Sequence, residues 1–284
     1  MLRSLYSGIS GLISHQTRMD VVGNNIANVN TVGYKASRVT FQDIYSQTIQ
    51  PASSPSATTA GVDPQQVGLG VTIGSIDVLH TRGATEYTGS PLDLSIDGDG
   101  FFVVSDGSHD FYTRAGNFYL DANNNLVTSS GLFVKGWNNP VATNPTSTAT
   151  QPATPTQPLD NIQIASGYNN VSISSMGEVI GVNTTTGDKE VIARLSLAEF
   201  NNQAALEKVG ESIYAANNNT GAPTLVFPGD NSAASLNPSS LEMSNVDLAR
   251  EFTEMIVTQR GFQANSRVIT TSDQILEELV NLKR

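Results

Sequence analysis

The stretch that decides the fold is LAREFTEMIVTQRGFQANSRVITTSDQILEELVNLKR, residues 248–284. Within it Leu248, Met255, Phe262, Ile269 and Leu276 recur at an interval of seven. A seven-residue apolar repeat lies along one side of an α-helix, so the spacing predicts a stripe that needs a partner surface. An unbroken helix over these residues would be about 55 Å long, and helices of that length seldom stand alone. The opposite end carries the same pattern: Leu5, Leu12, Met19 and Ile26 are also spaced by seven, with Leu2 and Ile9 on a neighbouring line.

The spacing predicts a shallow left-handed supercoil or helix bundle. It leaves open whether the partner is the other terminus, another subunit or both, and a helix that merely caps its own domain has the same pattern. Gly8, Gly11 and Gly23 interrupt the first stripe, and Gly261 with Thr270, Thr271 and Ser272 interrupts the second. Each interior glycine costs about 1 kcal/mol relative to alanine, so isolated terminal peptides are expected to stay mostly disordered until docked. Asp247, with Glu251 nearby, is placed to cap the second helix.

Between the ends the composition changes. Only 14% of the 284 residues are charged, and residues 45–240 hold six basic and seventeen acidic side chains, which accounts for the whole net charge of −11. An acidic middle argues against DNA, RNA or anionic membranes as partners. The near-neutral ends suit contacts between like subunits. The chain has no cysteine, which excludes disulfides and thiolate metal sites. No stretch reaches the length of a membrane span and MLRSLYSGISG is not a signal peptide, so the chain is expected to be neither membrane-inserted nor exported through a cleaved leader.

Strand signals fill the middle. VGLGVTIGSIDVLHT, LDLSIDGDGFFVVSDG and FYTRAGNFYLDANNNLVTSSGLFVKGW alternate apolar runs with Gly/Asn/Asp turns, and IQIA, VSISSMGEVIGV and EVIARLSLAEF continue the series. Residues 39–49 fit either a short helix or an extended arm. Residues 51–64 and the Pro/Thr-rich stretch 140–158 have loop composition, and 215–240 is polar. The order helix, many strands, helix predicts an α+β chain: residues 1–30 with 241–284 as a helical domain, 31–70 as a connecting arm, and 71–240 as a mostly-β domain.

Convergent chemistry is scarce. The histidines, His15, His80 and His109, belong to no catalytic or zinc motif. Two Asp-led runs, from Asp93 and from Asp121, begin like calcium loops but end at Val104 and Leu132, where a bidentate carboxylate is needed. No catalytic residue, metal or cofactor is assigned, and enzyme activity is not expected.

Several segments resemble bacterial flagellar rod and hook proteins. The N-terminal stretch from Ser7 to Asp43 contains Asn24-Asn25-Ile26-Ala27-Asn28 and Asn30-Thr31-Val32-Gly33-Tyr34-Lys35. The C-terminal stretch from Leu241 to Arg284 includes Gln259-Arg260 and Asp273-Gln274-Ile275-Leu276, and LDLSIDGDGFFVV and YTRAGNF add to the likeness. Within the family the ends look more like the hook member than the distal rod, which is the runner-up. Many hook proteins carry an extra outer domain for which this chain has little room.

The resemblance implies terminal helices paired as a coiled-coil-like inner layer of a helical hollow polymer, with strand domains outside. Self-assembly would bury Leu5, Leu12, Met19, Ile26, Leu248, Met255, Phe262, Ile269 and Leu276. The role would be that of a flexible, torque-transmitting hook joint in an extracellular appendage. It also implies export in unfolded form by the flagellum's own type III secretion apparatus. Partners would be further copies, neighbouring rod and hook–filament junction proteins, the hook assembly cap and the export apparatus. A secreted surface binding module, stable as a monomer or small closed oligomer, is the alternative of another class.

Overall fold

Both apolar stripes form helices without a break in the computed structural model, which describes residues 2–55, 60–142, 159–229 and 234–282. Helix α1 spans Leu2–Ala27 and helix α2 spans Leu248–Asn281. The glycines expected to interrupt them are instead absorbed. Asp247 caps α2: its Oδ1 accepts the backbone N–H groups of Ala249 at 2.9 Å and Arg250 at 3.3 Å, satisfying donors that a helix start leaves open.

The chain divides into two units. A helical unit comprises Met1–Ala27, Ser37–Leu79 and Val246–Arg284, and a strand unit comprises Asn28–Ala36 and His80–Asn245. The stretch 31–70, expected as one connecting arm, is therefore shared between them. Residues 39–49 take the extended alternative. Strand Ser37–Asp43 pairs antiparallel with Val71–Val78, Gln47–Gln50 pairs with Gln65–Val67, and an isolated bridge joins Ser53 to Val62. Two strands alone are marginal in water. The base of this ribbon is supported by α1, where the Ser10 hydroxyl accepts the Val71 N–H at 3.3 Å and His15 meets Phe41 edge-on at 5.8 Å.

Among the described residues of the strand unit every ladder is antiparallel. The main sheet runs in the order 168–173, 178–183, 189–195, 133–142, 101–105, 110–113, 213–215, 207–210. Strand Phe101–Ser105 is buried along its whole length. Phe102 and Val104 enter the aliphatic core with Leu94, Leu126, Val134 and Leu195, while Phe101 meets Phe200 and Tyr214 in an aromatic cluster. Core burial explains why this run reads as continuously apolar instead of alternating.

The structure departs from the sequence pattern at two places. Residues 215–240, read as a polar stretch, contain Thr224–Val226 and Ser235–Pro238, which pair with 197–199 and 94–97. Their few apolar residues suffice because Leu236 is fully buried. IQIA is not a regular strand: the ladder is Asp160–Asn161 against 135–136, although Ile162 and Ile164 do reach the core. The Pro/Thr-rich stretch lies, from residue 143 to 158, outside the described residues.

Candidate functional site

The helical unit brings the two termini together. On α1 the residues Leu5, Gly8, Leu12, His15, Met19, Val22 and Ile26 follow the alternating three–four spacing of a coiled-coil seam, all half-buried or buried. On α2 the matching line is Glu251, Met255, Thr258, Phe262, Asn265, Ile269, Ser272 and Leu276, again half-buried or buried. The predicted apolar repeat is thus one of the two lines on each helix. On α2 the other line is polar, and Thr258 and Ser272 are its buried members. Leu248 lies outside the seam and is exposed.

Glycine lets the helices approach closely. A Cβ on Gly8 would stand 3.4 Å from the Ile269 side chain, and one on Gly11 would stand 2.5 Å from the Asn265 amide nitrogen. Across the pair, a Cβ on Gly261 would stand 2.7 Å from the His15 ring. Gly23 differs, since nothing lies within 4 Å of its would-be Cβ. Polar contacts fix the register. Arg18 Nη2 lies 2.9 Å from Glu254 Oε2, and this bond to Arg18 holds the Glu254 carboxyl below its ordinary range. Burial, with the nearby Arg18 charge as the smaller cause, lowers the His15 pKa and favours its neutral ring.

The motif residues separate into distinct roles. Asn25 is buried: its Oδ1 accepts the Ser37 N–H at 3.0 Å, while its Nδ2 donates to Ser37 O at 2.8 Å and to Glu251 Oε2 at 3.3 Å. It therefore joins the last turn of α1 to the start of the ribbon and to α2. Asn24 is exposed on the same turn. Gln259 and Arg260 face solvent on α2, where Arg260 Nη1 donates to Gln263 Oε1 at 3.3 Å.

The remaining motif residues belong to the strand unit. Asn28 Oδ1 accepts the Thr31 hydroxyl at 3.1 Å, and Asn30 is exposed. Gly33 is buried at φ +67°, and a Cβ there would meet the Ala115 backbone nitrogen at 2.6 Å. Its conformation and surroundings both require glycine. Its N–H donates to Glu242 O at 2.8 Å.

Beside Gly33 is a charge cluster that sequence reading missed. Lys35 Nζ lies 2.6 Å from Glu242 Oε1 and donates to Thr81 O at 2.8 Å. Arg114 Nη1 lies 3.5 Å from Glu242 Oε2 and donates to Gly98 O at 2.9 Å. All three side chains are at most 1% exposed. Burial pushes the Lys35 ammonium down, and the Glu242 carboxylate opposes that shift. His80, edge-on to Phe101 and Tyr214, is lowered to about 4 by burial and then by Arg114 and Lys35, and stays neutral.

Among the described residues no group of three or more His, Asp or Glu side chains could hold a metal ion, and the Asp121 carboxylate is engaged in its own turn by the Asn123 and Asn125 N–H groups. No helix among the described residues is long and apolar enough to cross a membrane. What stays unpartnered is apolar surface. Tyr6, Ile9 and Ile13 are exposed on α1, as are Leu248, Phe252 and Ile256, and then Ile275 and Leu279 with the capping Leu282 just beyond them, on α2. These sets recur at three- and four-residue intervals, so each forms a helix face.

Comparison with known proteins agrees with this anatomy. Residues 5–35 match the family described as flagella basal body rod protein, 95–181 the flagellar hook protein FlgE/F/G D1 domain, and 237–282 the flagellar basal body rod FlgEFG protein C-terminal region. The flagellar basal-body rod protein FlgG of Bacillus subtilis is 48% identical over 285 residues, with the whole of both chains covered. The FlgG of Agrobacterium fabrum is 33% identical over 96% of this chain and 97% of its own. The flagellar hook protein FlgE of Borreliella burgdorferi is 30% identical over an alignment of 442 residues that covers all of both. A seam of paired terminal helices, motif residues that tie each unit together, and full-length likeness to these relatives place the chain in the flagellar hook and basal-body rod family.

Proposed function

We propose that this chain is the distal-rod subunit of the flagellar basal body, a non-enzymatic structural protein that assembles with further copies through its helical unit. The observation that carries assembly is the apolar surface left on α1 and α2 after they pair, headed by Tyr6, Ile9, Ile13, Phe252 and Ile256. Contiguous exposed apolar faces mark interaction sites, and burying one such side chain stabilises by roughly 1.5–3 kcal/mol. The seam residues Leu5, Leu12, Met19, Ile26, Met255, Phe262, Ile269 and Leu276 then support assembly by holding the pair, and exposed Leu248 belongs with the outer face.

The rod is preferred to the hook because a rod protein matches at 48% over the same length, whereas the hook relatives match at 30% over alignments of 442 and 464 residues. The hook, which the likeness of the two ends favours, is the second reading. As a rod subunit the chain would adjoin other rod proteins and the hook, and would leave the cell unfolded through the flagellar export apparatus. The polar line on the α2 seam fits that route, because polar seam positions specify register at the expense of stability.

The cysteine-free sequence gives a direct test. A single exposed cysteine, Ser108→Cys, is labelled with gold on hook–basal bodies isolated from cells carrying the variant. Label on the straight segment inside the basal body supports the rod. Label along the curved external segment supports the hook and refutes the proposal, as does absence of label from both.

A further inference from the structure

We propose that Asn245 is the tie that carries load through this chain, an inference resting on the rod reading only in its assumption that the subunit is under torque in service. The chain passes between its two units four times, at 27/28, 36/37, 79/80 and 245/246. Any tension borne along the backbone from one unit to the other must enter the strand unit at residues 28, 36, 80 and 245. Four independent entry points would peel apart one after another. Three of them are fastened together by one side chain.

The Asn245 carboxamide accepts the Ala36 N–H at 2.8 Å through Oδ1, and its Nδ2 donates to Thr81 O at 3.2 Å and Thr81 Oγ1 at 2.8 Å. It thus joins the segment leaving at 36, the segment entering at 80 and its own segment leaving at 245. The layer behind it repeats the connection with different chemistry. Lys35 Nζ bonds Thr81 O and Glu242 Oε1, the Gly83 N–H donates to Glu242 Oε1 at 3.0 Å, and the Met243 N–H donates to Ala84 O at 2.8 Å. Gly83 sits so close to the Met243 carbonyl that any Cβ would overlap it. The tie is therefore backed by a tight, fully buried ion pair and cannot slide without breaking it. An amide suits the outer position because it alone offers an acceptor and two donors without charge.

Load shared across bonds that must break together resists force better than the same bonds broken in turn, and this predicts an effect that depends on the pulling direction. Two doubly cysteine-substituted full-length chains would be stretched in an optical trap. In one, Ser108→Cys and Glu277→Cys place handles in different units, so tension crosses the tie. In the other, Ser108→Cys and Thr185→Cys place both handles in the strand unit, so tension bypasses it. Asn245→Ala is expected to raise the unfolding rate at fixed force about a hundredfold on the first pair, since it removes three hydrogen bonds each worth about 1 kcal/mol net, and less than twofold on the second. Asn217→Ala, which removes a comparable amide bonded to Ala205 O and to the N–H groups of Asn219 and Thr220, is expected to leave the first pair's rate unchanged.

Equal acceleration on both handle pairs, or none on either, would overturn the proposal. Asn245→Asp keeps the acceptor for Ala36 and loses the donors to Thr81, and is expected to fall between wild type and alanine; it decides the matter alone should the alanine variant not fold. These outcomes concern the isolated chain, so the gold-labelling result stands or falls separately.

Discussion

Replacing Glu242 by glutamine should damage the strand unit more than replacing the lysine it pairs with, and the reason lies in the charge count of the buried cluster. Glu242 is the carboxylate that faces both Lys35 and Arg114, at 2.6 and 3.5 Å. In Glu242→Gln two buried cations lose their counter-charge, and breaking a buried pair in that way costs about 3–5 kcal/mol. In Lys35→Met the carboxylate keeps Arg114 and the Gly83 N–H, so the loss is smaller, about 1–3 kcal/mol. A unit of this size loses about 2–4 °C in Tm per kcal/mol. The midpoint should therefore fall by about 6–20 °C for Glu242→Gln and by clearly less for Lys35→Met.

Two probes separate the units. The sole tryptophan, Trp137, is buried in the strand unit against Phe227 at 4.3 Å, whereas α1 and α2 both belong to the helical unit. Tryptophan fluorescence thus follows the strand unit, and far-UV ellipticity at 222 nm chiefly follows the helices. A fluorescence midpoint for Lys35→Met as low as that of Glu242→Gln would refute the charge count. So would a glutamine variant that unfolds like wild type.

Other consequences are as direct. Because the folded pKa of His80 lies at about 4 against the ordinary 6.5, the unfolded chain binds the proton first. Strand-unit stability contributed by this group should be complete above pH 6.5 and fall by about 3 kcal/mol as the pH drops towards 4, and urea titrations of His80→Gln by tryptophan fluorescence should lack that portion of the slope. Gly23→Ala, with open space at its Cβ, should stabilise α1 by up to about 1 kcal/mol, read as a higher midpoint at 222 nm. Gly261→Val should lower the same midpoint, because its branched side chain meets the His15 ring 2.7 Å from the Cβ position. Asp247→Ala removes the cap from α2 and should cost about 1 kcal/mol by the same measurement.

What the sequence made legible, and what it hid, follows from the range over which each feature is encoded. The helices are written in local periodicity, so Leu5 through Ile26 and Met255 through Leu276 mark the seam side on their own. The same residues cannot show that the second seam line on α2 is polar, because Asn265 looks like a break until Gly8 and Gly11 are seen against it. Glycines that read as interruptions of a stripe are close-approach positions once the partner helix is known. The ion cluster is hidden more deeply, since Lys35 and Glu242 are 207 positions apart and neither carries a local signal of burial. A lysine following Gly33-Tyr34 reads as surface until the fold supplies Arg114 and the two backbone segments around it.

That contrast bears on how the protein works. Its helices are locally encoded, half-polar at the seam and apolar outside it, which suits the proposed rod subunit, whose helices would first travel unstructured and later dock. The groups that hold the strand unit together at its chain crossings, Lys35, Glu242, Arg114 and Asn245, are encoded only by the complete fold. A truncated or partly folded chain would therefore retain adhesive helices while lacking the buried ties. Such a chain should join a polymer readily and fail in it under load, so variants at the ties should incorporate at near wild-type level, by immunoblot of isolated basal bodies, yet break under viscous drag. Loss of incorporation instead would show that the ties act in assembly and that the separation drawn here between docking and load-bearing is mistaken.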